Sequence, residues 1–234
     1  MGLQEDARWL RGQLIFRNYS LGEWDQFDQA ADPFIAECES SPHYLESAIR
    51  EARAGVRLAR GDAEGALADS AVGLTRAREA KDPQRIIPSL VTSVRVYALL
   101  GRREEARVFA NEAFEIARSV TAIADFLGLL NSVAGGLGIR HELRDVVALA
   151  PAGPWKDAAT TGASGDLVRA ADLYGQMGLV AIEAETRLSA AEELIETGRR
   201  TEGEVELEKA LTFYRSVGAT FFLERGEQLF AKSA

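Results

Sequence analysis

The side chains able to ligate a metal or act as nucleophiles are few and scattered. The chain holds two histidines, His43 and His141, and one cysteine, Cys38. His141-Glu142 is followed by Leu-Arg-Asp, not by the second histidine of a zinc-protease helix. Two distant histidines and a single thiol do not make a dedicated zinc site, so no metal is expected. A lone cysteine forms no internal disulfide; Cys38 reads as a buried, inert thiol and the chain as cytoplasmic. The glycine-rich "GGLG" at 135–138 lacks the preceding strand and the Gly-Lys-Ser/Thr of a phosphate-binding loop. It reads as a loosened helix end at a turn. Acidic pairs such as Glu193/Glu196 and Asp25/Asp28 have the composition of acid–base pairs, but solvated helix faces explain them better. No catalytic residue and no cofactor are expected.

Bulk properties narrow the partners. The 234 residues are 47% hydrophobic and 27% charged, with a net charge of −9. An acidic chain argues against nucleic acid or an anionic membrane surface, both of which demand a basic face. No apolar run approaches the roughly 20 residues needed to span a bilayer. The opening "MGLQEDARWL" has no basic start followed by an apolar core, so no secretory leader is expected.

The elements that would position any site emerge from an internal repeat. Residues 101–114, "GRREEARVFANEAF", and 198–211, "GRRTEGEVELEKAL", open with the same word. Aligned on Gly22, Gly61, Gly101, Gly138, Gly165 and Gly198, the chain shows small residues five positions later at Ala66, Ala106, Ala170 and Gly203. Twelve positions later stand Gly73, Ala113 and Ala210, with Met177 the exception. Before each glycine lies a stretch with apolar residues at three- and four-residue steps. Each unit is therefore helix, glycine turn, helix: glycine supplies the left-handed conformation that ends the first helix, and small residues let backbones approach. "TEGEVELEKA" alternates like a strand but sits where the repeat demands a helix. The segment 150–165, rich in Gly, Pro and Ser, predicts one short first helix near Trp155–Ala163. After Gly218 a last helix is expected, with Phe222, Leu229 and Phe230 inward.

Val94, Tyr97, Gly101, Ala106, Ala113 and Phe114, and again Ala191, Leu194, Gly198, Leu207, Ala210 and Leu211, resemble the tetratricopeptide repeat (TPR). The first glycine spacings, 39 and 40 residues, exceed the usual repeat and imply longer helices. Residues 153–234 further resemble the helical tail of bacterial, often actinobacterial, multidomain signalling proteins of the adenylate/guanylate cyclase or LuxR-type regulator kind. The catalytic domains of such proteins lie upstream, so no catalytic residue is carried over. The resemblance implies one all-α domain over 1–234: a right-handed superhelical TPR-like solenoid of about six helical hairpins with a C-terminal capping helix and an irregular Gly/Pro-rich junction near 150–165.

In such a repeat the residues six and ten before each glycine face the concave groove. Among them are Phe16, Glu51, Arg95, Ser132, Trp155 and Glu192, together with small residues including Gly12, Gly55, Gly128 and Ala159 that leave room. Arg95 is the candidate anchor, since a guanidinium pairs with a carboxylate; its structural alternative is an ion pair with Glu51. The expected function is a non-catalytic interaction or scaffold module binding a protein or peptide partner in the groove, with self-association through end surfaces around Trp9 compatible. The alternative is a small-molecule inducer-sensing domain of a transcriptional regulator. Converging polar and aromatic groups in a pocket would favour the second; an open, smooth groove the first. Far-UV circular dichroism should be helix-dominated, and a strand fraction typical of mixed globular proteins would contradict the helical reading.

Overall fold

A computed structural model describes residues 2–232. Among them every regular element is helical. The order is α1 (Gly2–Ser20), α2 (Trp24–Ser40), α3 (Glu46–Ala59), α4 (Ala63–Ala80), α5 (Pro83–Leu99) and α6 (Arg103–Ser119). A 3-10 segment, Thr121–Leu130, leads into α7 (Asn131–Leu137) and α8 (Arg140–Val147). Then come α9 (Pro154–Ala163), α10 (Leu167–Gln176), α11 (Val180–Glu196), α12 (Arg200–Val217) and α13 (Thr220–Lys232). The alternating stretch around Val205 is helical: Leu207 and Leu211 are buried and Val205 faces out.

The turns follow from local chemistry. All six aligned glycines have positive φ, between 69° and 101°, a region that costs a side chain but not glycine. Asp62 caps α4 through Gly65 N–H at 2.8 Å, and Asp82 caps α5 through Gln84 N–H at 2.9 Å. Pro83 fills the first turn of α5, where its missing N–H costs nothing. The small residues meet where helices touch. Ala66, Ala106 and Ala170 are wholly buried, and a Cβ on Gly203 would lie 3.0 Å from the Ala191 carbonyl oxygen. Two departures from the regular pattern lie in the middle of the chain. Residues 121–130 form a 3-10 run, long for that geometry. Gly128 within it packs so closely on α9 that a Cβ there would lie 2.8 Å from the Ala159 Cα.

Neighbouring helices pack in order along the chain, but the two ends also meet. α1 packs on α3 and α11, and α13 packs on α3 as well as on α12. The Trp24 ring meets Phe213 edge-on at 5.6 Å, and Tyr214 stacks on Phe222 at 4.5 Å. One apolar cluster accordingly joins residues of α1–α3 to residues of α11–α13, while a second fills the middle of the chain. The last helix therefore does more than cover an end. It buries Phe222 and half-buries Leu229, but leaves Phe230 38% exposed, contrary to the inward position expected for it.

Ala106 on α6 is wholly buried, and α6 packs on α5. Ala106→Leu hardly alters helix propensity, so the overpacking should lower stability by about 1–3 kcal/mol in urea unfolding. An unchanged midpoint would show that this alanine does not set the spacing of its helices.

Candidate functional site

The helices that precede the glycine turns converge on one cavity of about 310 Å3. α1 contributes Gly12, Gln13, Phe16 and Tyr19; α3 contributes Ala48, Ile49, Glu51 and Ala52; α5 contributes Arg85, Pro88, Thr92 and Arg95. Phe126 and Leu129 of the 3-10 segment, Trp155 of α9 and Ala181 and Ile182 of α11 complete the wall. Phe126 stacks on Trp155 at 5.7 Å, and Phe16 leans on Tyr19 at 5.9 Å. Most of the wall is therefore apolar or aromatic, with Glu51, Arg85 and Arg95 as its charged members.

Four of the six residues singled out in the sequence, Phe16, Glu51, Arg95 and Trp155, line this cavity. The other two stand elsewhere. The Ser132 hydroxyl on α7 donates to Glu185 Oε1 at 2.6 Å. Glu192 is held by Arg225 of α13, whose Nη2 donates to Oε2 at 2.8 Å. The small residues do not all leave room. The Tyr19 ring occupies the space beside Gly55, its hydroxyl 3.4 Å from where a Cβ would stand, and Gly128 and Ala159 fill each other's gap.

The Arg95–Glu51 pair, the structural alternative to a ligand anchor, is not formed. Arg95 reaches across to α11 and engages Glu185 with two hydrogen bonds, Nε donating to Oε1 at 3.1 Å and Nη2 to Oε2. α7 and α11 help to hold that acceptor. Ser132 donates to Glu185, and Ser189 Oγ donates to the Ser132 carbonyl at 2.8 Å. The pair is buried, with Arg95 18% and Glu185 9% exposed at the side chain. Burial alone would raise the Glu185 carboxyl, but the Arg95 charge and the hydrogen bonds outweigh it and hold the group below the usual carboxylate range. Glu51 behaves oppositely: burial pushes its carboxyl up, and the Arg85 charge and the Ser89 hydroxyl only partly offset it. Ser89 Oγ donates to Glu51 Oε1.

Glu185, Arg85 and Phe126 are wall or anchoring residues that the sequence reading missed. Glu185 lies thirteen residues before Gly198, and Ala48 and Pro88, at the same offset before their own glycines, also line the cavity. That third line of the helix face was the signal available. The other chemistry-bearing residues lie away from the cavity. Cys38 is buried, and burial raises its thiol, outweighing the nearby Arg8 charge; Arg8 donates to its sulfur at 3.3 Å. His43 accepts from the Leu45 N–H at 3.1 Å, and burial lowers its imidazole. His141 is exposed beside Asp145. Asp25 and Asp28 share Arg60, and Glu193 is paired with Arg140. Among the described residues no group of three or more His, Cys, Asp or Glu is placed to hold a metal ion, and no helix is long and apolar enough to cross a membrane.

Comparison of the chain with protein-family models, with curated proteins and with solved structures finds no match in any of the three.

Removing one member of the Arg95–Glu185 pair strands the other without its partner. Arg95→Ala should therefore destabilise by about 3 kcal/mol, whereas a paired replacement, Arg95→Met with Glu185→Leu, should recover most of the loss. The Glu185 contribution has a definite pH window. Its folded pKa is depressed, so the stability it gives is present above the unfolded glutamate pKa and is lost as pH falls through the lower folded value. The deficit of Glu185→Gln relative to the parent chain should be constant near neutrality and shrink in acid. A deficit that grows on acidification would refute this assignment.

Proposed function

We propose that the chain is a TPR-like α-solenoid of six helical hairpins and a final helix, acting as a non-catalytic ligand-binding module of a regulatory or signal-transducing protein. Support for the solenoid comes from the six positive-φ glycines, the buried small residues after them and the helix-by-helix packing. The resemblance of residues 153–234 to the tails of bacterial cyclase and LuxR-type regulators supplies the regulatory context, with the cytoplasm as its place of action.

In this reading the concave face is a small-molecule site, the sensor alternative, rather than an open peptide trough. The observation that carries it is the convergence of the hairpins' first helices on one cavity of about 310 Å3, flanked by the contact of α1 with α11. Small-molecule sites are typically about 300–1,000 Å3, mostly apolar, with a few placed polar groups. Four aromatic rings and the polar groups of Glu51, Thr92 and Arg95 match that description.

A protein partner retains a place on the outside. Leu10 and Leu14 on α1 are 63% and 60% exposed one helical turn apart, with Trp9 beside them. An exposed apolar face of this kind suits a partner helix or domain.

A thermal-shift screen of small organic molecules tests the main reading. A ligand at a hundred times its dissociation constant adds about 2.7 kcal/mol, or about 5–10 °C for a chain of this size. Ala181→Phe, at a half-exposed wall position, should abolish the shift while leaving the circular dichroism unchanged. A hit that survives Ala181→Phe, or a chain stabilised only by peptides, would move the site away from the cavity.

A further inference from the structure

Glu51 differs from the other enclosed carboxylates. Glu46 and Asp69 meet arginines, Glu185 meets Arg95, and Glu206 meets Arg187 and Lys209, all within 4.0 Å. Among the described residues Glu51 has no such cation within that distance; its hydrogen bond comes from the neutral Ser89 hydroxyl. It is also a wall residue of the cavity. A carboxylate enclosed by protein, satisfied at one oxygen by a hydroxyl and facing a cavity, has in the more distant Arg85 charge only part of the counter-charge that burial demands.

The surroundings specify what would supply it. The stacked Phe126–Trp155 pair and Phe16 offer ring faces, which attract cations through their quadrupoles. Of the two cationic wall groups, Arg95 is already paired. Both Arg95 nitrogens that face Glu185 are bonded to it. Arg85 donates to the Gln84 carbonyl at 3.1 Å and lies 5.5 Å from the centre of the Tyr44 ring. An anion would find the Arg95 fork spent on Glu185 and only the Nη groups of Arg85 left, and it would meet Glu51.

We propose that the cavity takes a small organic cation, with an amine or quaternary ammonium group set against the Glu51 carboxylate and an apolar body among Phe16, Phe126 and Trp155. This rests on the small-molecule reading of the cavity. Burial pushes the Glu51 carboxyl up, and a cation set beside it would stabilise the ionised form that burial disfavours.

Calorimetric titration of the full chain with three probes that share one apolar body separates the possibilities: phenethylammonium, 2-phenylethanol and phenylacetate. The ammonium should bind about tenfold more tightly than the alcohol, as a charge-assisted hydrogen bond predicts, and phenylacetate should bind most weakly. Glu51→Gln keeps the shape and the Ser89 acceptor; it should erase the ammonium preference while changing alcohol affinity by less than about twofold, because only the charge is lost. Phe16→Leu should weaken the ammonium by about threefold and the alcohol less. Equal binding of ammonium and alcohol, or an ammonium preference that persists in Glu51→Gln, overturns the cation inference and leaves the cavity reading standing. Tighter binding of phenylacetate overturns the inference in favour of Arg85. Absence of binding by all three, with the protein folded by circular dichroism, overturns both.

Discussion

A buried guanidinium–carboxylate contact between residues ninety apart constrains how the helices of this chain pack. The Arg95–Glu185 pair links α5 to α11, and Ser132 and Ser189 draw α7 into the same contact. A buried pair gives little net stability over apolar side chains of the same volume, because desolvation consumes much of the Coulomb gain. Its effect is selective. Either charge alone is strongly disfavoured, so packings that separate α5 from α11 are penalised while the observed one is not. Arg95 sits on the cavity wall, and behind it a second, smaller space of about 30 Å3 is bounded by Tyr19, Glu185 and Tyr214. Burial raises the Tyr214 hydroxyl far above its ordinary value, the Glu185 charge adding to the effect, so that ring contributes no charge to the network.

The chain uses buried arginines in a second, repeated way. Arg50 stands eleven residues before Gly61 and bonds to Asp69, eight residues after it; Arg187 and Glu206 hold the same offsets about Gly198. Glu46 and Glu183, each four residues before the arginine, complete both sets. In these two helix pairs an arginine on the first helix bridges an acid on its own helix and one on the second. The pair around Gly101 places Leu90 and Phe109 at the equivalent positions and is held by apolar contact instead. The same geometry is thus reached by two chemistries, as expected where paired charges and well-packed hydrocarbon are close in free energy.

Much of the local architecture was legible in the sequence, because it depends on residues near one another. The turn glycines, the close-packed alanines and the short helix at 154–163 follow from backbone sterics and volume. So does part of the cavity wall, since the residues six and ten before each glycine lie on one stripe of a helix. What was not legible depends on the accumulated placement of many rigid helix pairs. The seat of α1 on α3 places Tyr19 against Gly55, and the approach of α11 to α5 places Glu185 against Arg95; no local pattern states either contact. The alternative pairing of Arg95 with Glu51 is not formed for that reason: Glu51 lies in the neighbouring helix pair, whereas the actual partner stands ninety residues on. The repeated Glu–Arg–acid sets, by contrast, were visible at fixed offsets and went unread because charged residues were assigned to solvent.

The position of the cavity follows from the same closure. Small residues six and ten positions before the turn glycines do not by themselves make a void, since Tyr19 occupies the space at Gly55, and Gly128 meets Ala159. Space remains where α1 reaches the wall with Gly12 and Phe16 while its far side, carrying Leu10 and Leu14, faces out. One helix therefore carries both the inner aromatic wall and the outer apolar surface. Its seat on α3 and α11 depends on the apolar cluster that joins the two ends of the chain.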